Sequence, residues 1–263
     1  YKFSRVPNFS NEKIISISAG RLHLFALTNK GNLWGTGNNL NGRLGLPQEK
    51  SFFFGFTQID LKTLNISSVK YIDCGSNHSV ILTNDNRIFG CGLNLNNEIG
   101  ITPFQIYVNS FTQIMFQENI KSISCGNYST TIYSTNGNIY SVGKNKYGTL
   151  GLGHSNFVDK FTKIPCDKAI TKIMSNHLDS FLLTKDGTLY CSDVYISSFR
   201  NKKMPKNYKF NKVEFKLPDI DNFFISNNSV FIIFSHNKTT SSSKRMFLIK
   251  DSEYNSKKLR IEN

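Results

Sequence analysis

Acidic residues are scarce in this chain. Its 263 residues hold 18 Asp and Glu against 32 Lys and Arg, a formal net charge of +14. That balance disfavours cationic partners and favours polyanions: nucleic acid, a ribonucleoprotein, or an acidic protein face. No apolar run reaches the 18 residues of a helical membrane span. The five cysteines, Cys74, Cys91, Cys125, Cys166 and Cys191, include no Cys-x-x-Cys pair. An odd count with that placement implies reduced thiols, a non-secretory compartment and no zinc site. Also missing are a Gly-x-Ser-x-Gly elbow, a His-Glu-x-x-His helix and a Gly-x-x-x-x-Gly-Lys phosphate loop. Without those constellations neither an enzyme nor a bound cofactor is expected. The chain opens Tyr1-Lys2-Phe3-Ser4-Arg5, without Met and without the apolar stretch of a signal peptide. It reads as trimmed, cleaved or excerpted from something longer.

What is present is a recurring phrase. Phe3-Ser4-Arg5-Val6 returns as Phe56-Thr57-Gln58-Ile59, Phe111-Thr112-Gln113-Ile114, Phe161-Thr162-Lys163-Ile164 and Phe210-Asn211-Lys212-Val213. The steps between the Phe positions are 53, 55, 50 and 49 residues. A period near 50 marks one repeated structural unit. Each unit opens on an alternating strand, such as Ile15–Gly20, Tyr71–Gly75, Ile120–Gly126 and Ile170–Asn176. Cys74 and Cys125 share the position of Ala19, which points to a small buried apolar site. The glycine that follows (Gly20, Gly75, Gly126) suits a tight turn or a positive φ. A second strand runs from His23, His78, Ser129 or Asp179 into an Asn-Gly or Asp-Gly type of turn. There both central positions are expected at φ > 0. A short third strand follows, then a glycine-punctuated corner, Gly37–Gly45, Gly92–Gly100 and Gly143–Gly153. The Phe-x-x-Ile/Val phrase closes each unit as a fourth strand. Four antiparallel strands per unit make one propeller blade.

At that corner the chain resembles the regulator-of-chromosome-condensation repeat family. The resemblance rests on strand-Cys-Gly-x-x-His-Ser, the turn, aromatic-x-x-Gly, and Asn-x-x-Gly-x-Leu-Gly. Gly20, His23, Gly31, Gly37, Gly42 and Gly45 carry it in the first copy. Gly75, His78, Gly92, Asn94 and Gly100 carry it in the second, and Gly126, Gly143 and Gly151 in the third. It covers residues 14–193 and implies an all-β propeller, seven-bladed when complete, that serves many unrelated roles. The expected layout is one propeller domain over 1–263. Residues 3–6 close an upstream blade, and blades follow at 14–59, 69–114, 120–164 and 170–213. A degenerate blade occupies 220–250 and a basic tail 251–263.

The repeat glycines and His23 and His78 are therefore scaffold, with each His tying its strand to the neighbouring blade. His154 and His177 fall in turns beside no marked carboxylate or nucleophile. Residues 200–263 hold 14 Lys and Arg against 6 acids. Arg200, Lys202, Lys203, Lys206 and Lys209 lie in the connection before Phe210, with Pro205 blocking strand pairing. Tyr208 could stack on a base there. Lys257, Lys258 and Arg260 form a second patch. These residues are the expected contacts to a nucleic-acid backbone or protein partner. The expected function is a non-enzymatic scaffold in a large RNA- or DNA-containing assembly, such as an organellar ribosome. The matrix of a mitochondrion or another organelle is the favoured compartment, with nucleus and cytoplasm as alternatives. Two alternatives stand beside it: a chromatin binder, which the basic charge permits, and a guanine-nucleotide exchange factor for a small GTPase, which the resemblance implies. Exchange in the family uses a wedge inserted in one blade, and the longest connection here, Pro47–Gly55, reads as a buried hydrophobic segment instead.

Overall fold

The computed structural model describes residues 9, 11–175, 179–192, 207–213, 220–226, 229–234 and 245–250. It divides into two compact units, Tyr1–Leu95 with Ile101–Gln117, and Asn96–Gly100 with Glu118–Asn263.

The first unit holds two four-stranded antiparallel sheets. Blade 1 is β1 (Ile14–Ala19), β2 (His23–Thr28), β3 (Leu33–Asn38) and β4 (Phe52–Gln58). Blade 2 is β5 (Val69–Cys74), β6 (His78–Thr83), β7 (Ile88–Leu93) and β8 (Tyr107–Ile114). In the second unit, blade 3 is β9 (Ile120–Cys125), β10 (Ser129–Ser134), β11 (Ile139–Gly143) and β12 (Val158–Lys163). Blade 4 is β13 (Ile170–Ser175), β14 (Ser180–Thr184), β15 (Leu189–Cys191) and β16 (Asn211–Lys212). A three-stranded sheet follows: β17 (Ile220–Ser226), β18 (Ser229–Phe234) and β19 (Arg245–Lys250). The fold is an all-β propeller of meandering blades, because each strand pairs with the next in sequence.

Alternation along the strands dictates burial. In β5, Val69, Ile72 and Cys74 turn inward while Lys70 and Tyr71 face solvent. Phe25, Leu27, Leu33 and Leu44 of blade 1 share one core with Ile72, Ile81, Phe89 and Phe111 of blade 2. Tyr133, Ile139 and Leu150 join Ile170, Ile173 and Leu182 in the second unit. Burial of a side chain this size contributes roughly 1.5–3 kcal/mol, so these seams outweigh the hairpin turns as sources of stability.

Several local expectations change. The hairpin turns have only one residue at positive φ: Gly31, Asn86, Gly137 and Gly187. Gly31 donates its N–H to Thr28 O, and Thr28 donates its N–H to Asn32 O. That is a type I turn followed by one left-handed residue, not the two-residue turn the dipeptides suggest. The side chains of Thr28, Thr83, Ser134 and Thr184 hold it by accepting the N–H of Asn32, Arg87, Asn138 and Thr188. Gly20, Gly75 and Gly126 are not at positive φ. A Cβ on Gly20 would instead collide with the His23 ring and the Gly75 carbonyl, so space demands that glycine. Pro47–Gly55 is not a buried connection. Pro47–Lys50 are exposed, Phe52–Gly55 open strand β4, and Phe54 is 94% exposed. Ala19 is exposed too, although Cys74 and Cys125 at the same repeat position are buried.

None of the five cysteines is in a disulfide; four are buried and Cys166 is half-buried. Burial pushes the Cys74 thiol up to about 12, which removes the reactive thiolate. An aromatic disulfide reagent should therefore titrate one fast thiol in the native protein and five after unfolding. Cys166→Ser should abolish the fast phase, and a second fast thiol would refute the burial of the other four.

Candidate interaction surface

His23 is the residue most suggestive of chemistry. Its Nε2 lies 2.8 Å from Ser79 Oγ, a serine–histidine pair. The Ser79 hydroxyl donates its only proton to Arg43 O at 2.7 Å. Nε2–H must then be the donor to Ser79, which fixes the neutral tautomer. Burial, with Arg43 and His78 nearby, holds the imidazole at about 3. Ser79 is fully buried, so no substrate reaches its oxygen. The pair joins β2, β6 and the first corner. Arg43 continues the network by donating its Nε–H to Leu40 O, while burial lowers its pKa.

In the second corner Glu98 takes the place of Arg43. Its Oε2 accepts Asn96 N–H at 2.6 Å and burial raises its pKa. The corners are fixed by buried amides. Asn39 and Asn145 each accept a backbone N–H, from Leu44 and Leu150, and donate to a later carbonyl. Asn94 donates to Gln105 O.

With the interior committed to structure, the surface is left for function. In the first unit the corner-bearing end of each blade is apolar. Asn38 organises blade 1 there: its N–H donates to Leu22 O, its Oδ1 accepts Leu40 N–H, and it pairs with Phe52. Leu22, Leu40 and Phe52 are all exposed, and the Phe52 and Phe54 rings lie 4.7 Å apart. Blade 2 exposes Leu95, Phe104, Ile106 and Tyr107 at the same end. Clustered exposed apolar side chains of this kind mark binding surfaces. Blade 3, in the second unit, presents cations over aromatic rings at its corner. Lys144 Nζ sits 4.8 Å from the Tyr128 ring and Lys146 Nζ 5.5 Å from the Tyr147 ring. Phe157 is exposed beside them in the repeat. Sequence reading missed these groups. The available signal was an aromatic residue, Phe52, Tyr107 or Phe157, at or just ahead of the start of three fourth strands.

Of the basic residues singled out by sequence, Tyr208 and Lys209 are described. Tyr208 is half-buried at φ +51, and a Cβ on Gly148 would lie 2.5 Å from its ring. Its ring is thus seated on the third corner. Lys209 is exposed and pairs with Leu152. Arg200, Lys202, Lys203, Lys206, Lys257, Lys258 and Arg260 lie outside the described residues.

Comparison with known proteins agrees with this geometry. Models of the regulator of chromosome condensation (RCC1) repeat match residues 14–43, 69–98 and 120–149, and also 30–82. The guanine nucleotide exchange factor SRM1 of Saccharomyces cerevisiae is 28% identical over 157 residues, 58% of this chain and 32% of that protein. The crystal structure of human WBSCR16 superposes with a TM-score of 0.76 at 18% identity, covering 91% of this chain and 63% of that one. Prp20p of Saccharomyces cerevisiae, described with its binding to Gsp1p and histones, gives 0.69 at 19% identity, covering 80% and 52%. The chain spans about a third or less of the length of its curated relatives, from 14% to 33%.

Proposed function

Because the chain carries regulator of chromosome condensation repeats, we propose that it is a non-enzymatic interaction scaffold. It would present blade ends to protein partners within a larger RNA- or DNA-containing assembly. The observation that carries this reading is the exposed apolar corner end of blades 1 and 2. The charge of +14 and the cation–aromatic corner of blade 3 support a polyanion in the same assembly. An organellar ribosome in a mitochondrial or similar matrix is the form of assembly proposed.

Filter binding of the protein to a 30-nucleotide RNA would test the polyanion part. Affinity is expected to fall at least about tenfold between 50 and 200 mM salt, since each neutralised phosphate releases counterion. Lys202→Glu, Lys203→Glu and Lys206→Glu together should cost a further tenfold or more, in line with lost phosphate contacts. Salt-insensitive binding, or an unaffected triple variant, would remove nucleic acid from the reading.

A second reading, guanine-nucleotide exchange, is supported by the name of the SRM1 relative. It predicts accelerated release of labelled GDP from a small GTPase. No acceleration across a GTPase panel would end it.

A further inference from the structure

The three glycine corners align residue by residue, because Gly37, Gly92 and Gly143 pair with His23, His78 and Ser129 in one register. The third corner departs from the other two in kind. Tyr128 stands where the first two blades have Leu22 and Asn77. Lys144 replaces Asn38 and Leu93, Lys146 replaces Leu40 and Leu95, and Tyr147 replaces Asn41 and Asn96. The fourth strands, aligned through Phe53, Val108 and Val158, add Lys160 where Gly55 and Ser110 stand. Between the corner glycine and this position the second blade has no Lys or Arg. The first has Lys50 and the buried Arg43. At one end of one blade, leucine and asparagine have thus given way to lysine and tyrosine.

Buried Asn145 gathers these residues. Its amide donates to His154 O at 2.8 Å and Asn156 O at 3.2 Å, and accepts Leu150 N–H. The Lys144–Tyr147 arm is thereby held beside the segment that leads to Phe157. Tyr147 is 42% exposed and Phe157 64%. Lys144 donates its N–H to Tyr128 O, which keeps its ammonium over the Tyr128 ring as Lys146 sits over Tyr147. Gly153 donates its N–H to Tyr208 O, and the Lys209 stem passes over Gly153, where a Cβ would lie 3.3 Å from Lys209 Cε. Lys144, Lys146, Lys160 and Lys209 are exposed, and none forms an ion pair among the described residues. Asp159 is the one acid between Gly143 and Lys160. Glu98, whose charge reaches Lys144, is 1% exposed. Four exposed cations thus adjoin two exposed rings.

We propose that this corner is a binding site for single-stranded nucleic acid, with bases stacked on Tyr147 and Phe157 and phosphates met by Lys144, Lys146, Lys160 and Lys209. The site rests on the polyanion reading above and gives that polyanion a chemical class. The exposed rings select the ligand. Every base has a π-face, so stacking accepts any sequence whose bases are unpaired. A duplex keeps those faces within its own stack and offers phosphate and groove edges instead. An acidic peptide would use the lysines and leave both rings idle. Two of the ammonium groups already lie over rings, so less side-chain freedom is lost when they meet phosphate. Tyr208, the ring expected from sequence to stack on a base, is seated on Gly148. Tyr147, the residue before that glycine, takes the role.

Fluorescence anisotropy with oligo(U) and oligo(dT) of about 12 nucleotides, within the usual span of such sites, is the test. The better of the two is expected to bind at least about tenfold more tightly than a duplex of the same length, because only single strands offer free base faces. Whichever strand binds the tighter names the source, RNA or DNA. Tyr147→Ala with Phe157→Ala should weaken binding at least about tenfold, the usual cost of lost stacking. Lys144→Gln with Lys146→Gln should reduce the slope of log affinity against log salt by about 1.4, from two phosphates at about 0.7 each. Tyr147→Trp should bind like the parent, with the added indole quenched on binding and Trp34 emission unchanged. Unaltered affinity in the double alanine variant would overturn the site, even where Lys202→Glu, Lys203→Glu and Lys206→Glu together weaken RNA binding and so uphold the wider reading. Equal binding of oligo(U), duplex and polyglutamate would also overturn it, in favour of an acidic protein or any polyanion. A complete lack of oligonucleotide binding would overturn both. If the alanine variant does not fold, Tyr147→Trp decides alone, and an added indole left unquenched would refute the site.

Discussion

Gly45→Val should destabilise the first unit by about 2–5 kcal/mol, the sum of left-handed backbone strain and overpacking. Gly45 has φ +63, a region that β-branched residues avoid. Any Cβ there would also meet the Phe111 ring at 2.7 and 2.9 Å, and that ring is buried in the seam between blades 1 and 2. Two other glycines separate the causes. Gly137 has φ +83 but open space around it. Gly137→Ala should therefore cost only about 1–2 kcal/mol, the backbone part alone. Gly55 has neither a positive φ nor a neighbour within 4 Å. Gly55→Ala should be within about 0.5 kcal/mol of neutral, the usual range for a surface change. Urea unfolding followed by circular dichroism would rank the three. If Gly45→Val matched Gly137→Ala, ring contact would play no part in the corner.

Acid should weaken the first unit well above the range where ordinary carboxylates titrate. His23 is held at about 3 in the fold against an ordinary value of 6.5. Above pH 6.5 the ring is neutral in both folded and unfolded chains, and the full stability is present. As pH falls below 6.5 the unfolded chain takes up a proton that the folded chain refuses. Stability then declines by about 1.4 kcal/mol per pH unit, reaching about 5 kcal/mol near pH 3. His23→Gln keeps a donor for Ser79 and cannot charge, so the difference between the two proteins isolates the imidazole. That difference should change with the stated slope between pH 6.5 and 4.5. A flat difference would mean that the buried ring accepts a proton in the folded state. Glu98 works in the opposite sense, because burial raises its pKa and its neutral form is favoured as pH falls. Its influence cancels in the comparison.

Much of the fold was legible before any coordinates, because the information is local. Alternation at Tyr71-Ile72-Asp73-Cys74 marks a strand, and the recurrence of Phe-x-x-Ile/Val marks where each blade closes. The hairpins were legible in position but not in type. A dipeptide such as Lys30-Gly31 permits a two-residue turn, but the Thr28 hydroxyl, bonded to Asn32 N–H, selects a type I turn with one left-handed residue. The surface was largely illegible. Leu40 and Leu44 differ little in composition or neighbourhood, yet Leu44 is buried under the next blade's Phe111 and Leu40 faces solvent.

Ile17 and Ile72 mark the boundary between the two kinds of knowledge. Sequence alone determined that both are apolar positions of an opening strand in a repeated blade, because periodicity and turn chemistry are properties of the chain itself. It determined likewise the surplus of positive charge and the lack of a Cys-x-x-Cys pair. Only the tertiary structure decided that Ile72 is covered and Ile17 is not. Burial depends on which surface is folded against a side chain, and that surface comes from residues some 50 positions away. The same reason made His23 a structural tie: its partner Ser79 lies 56 residues along the chain.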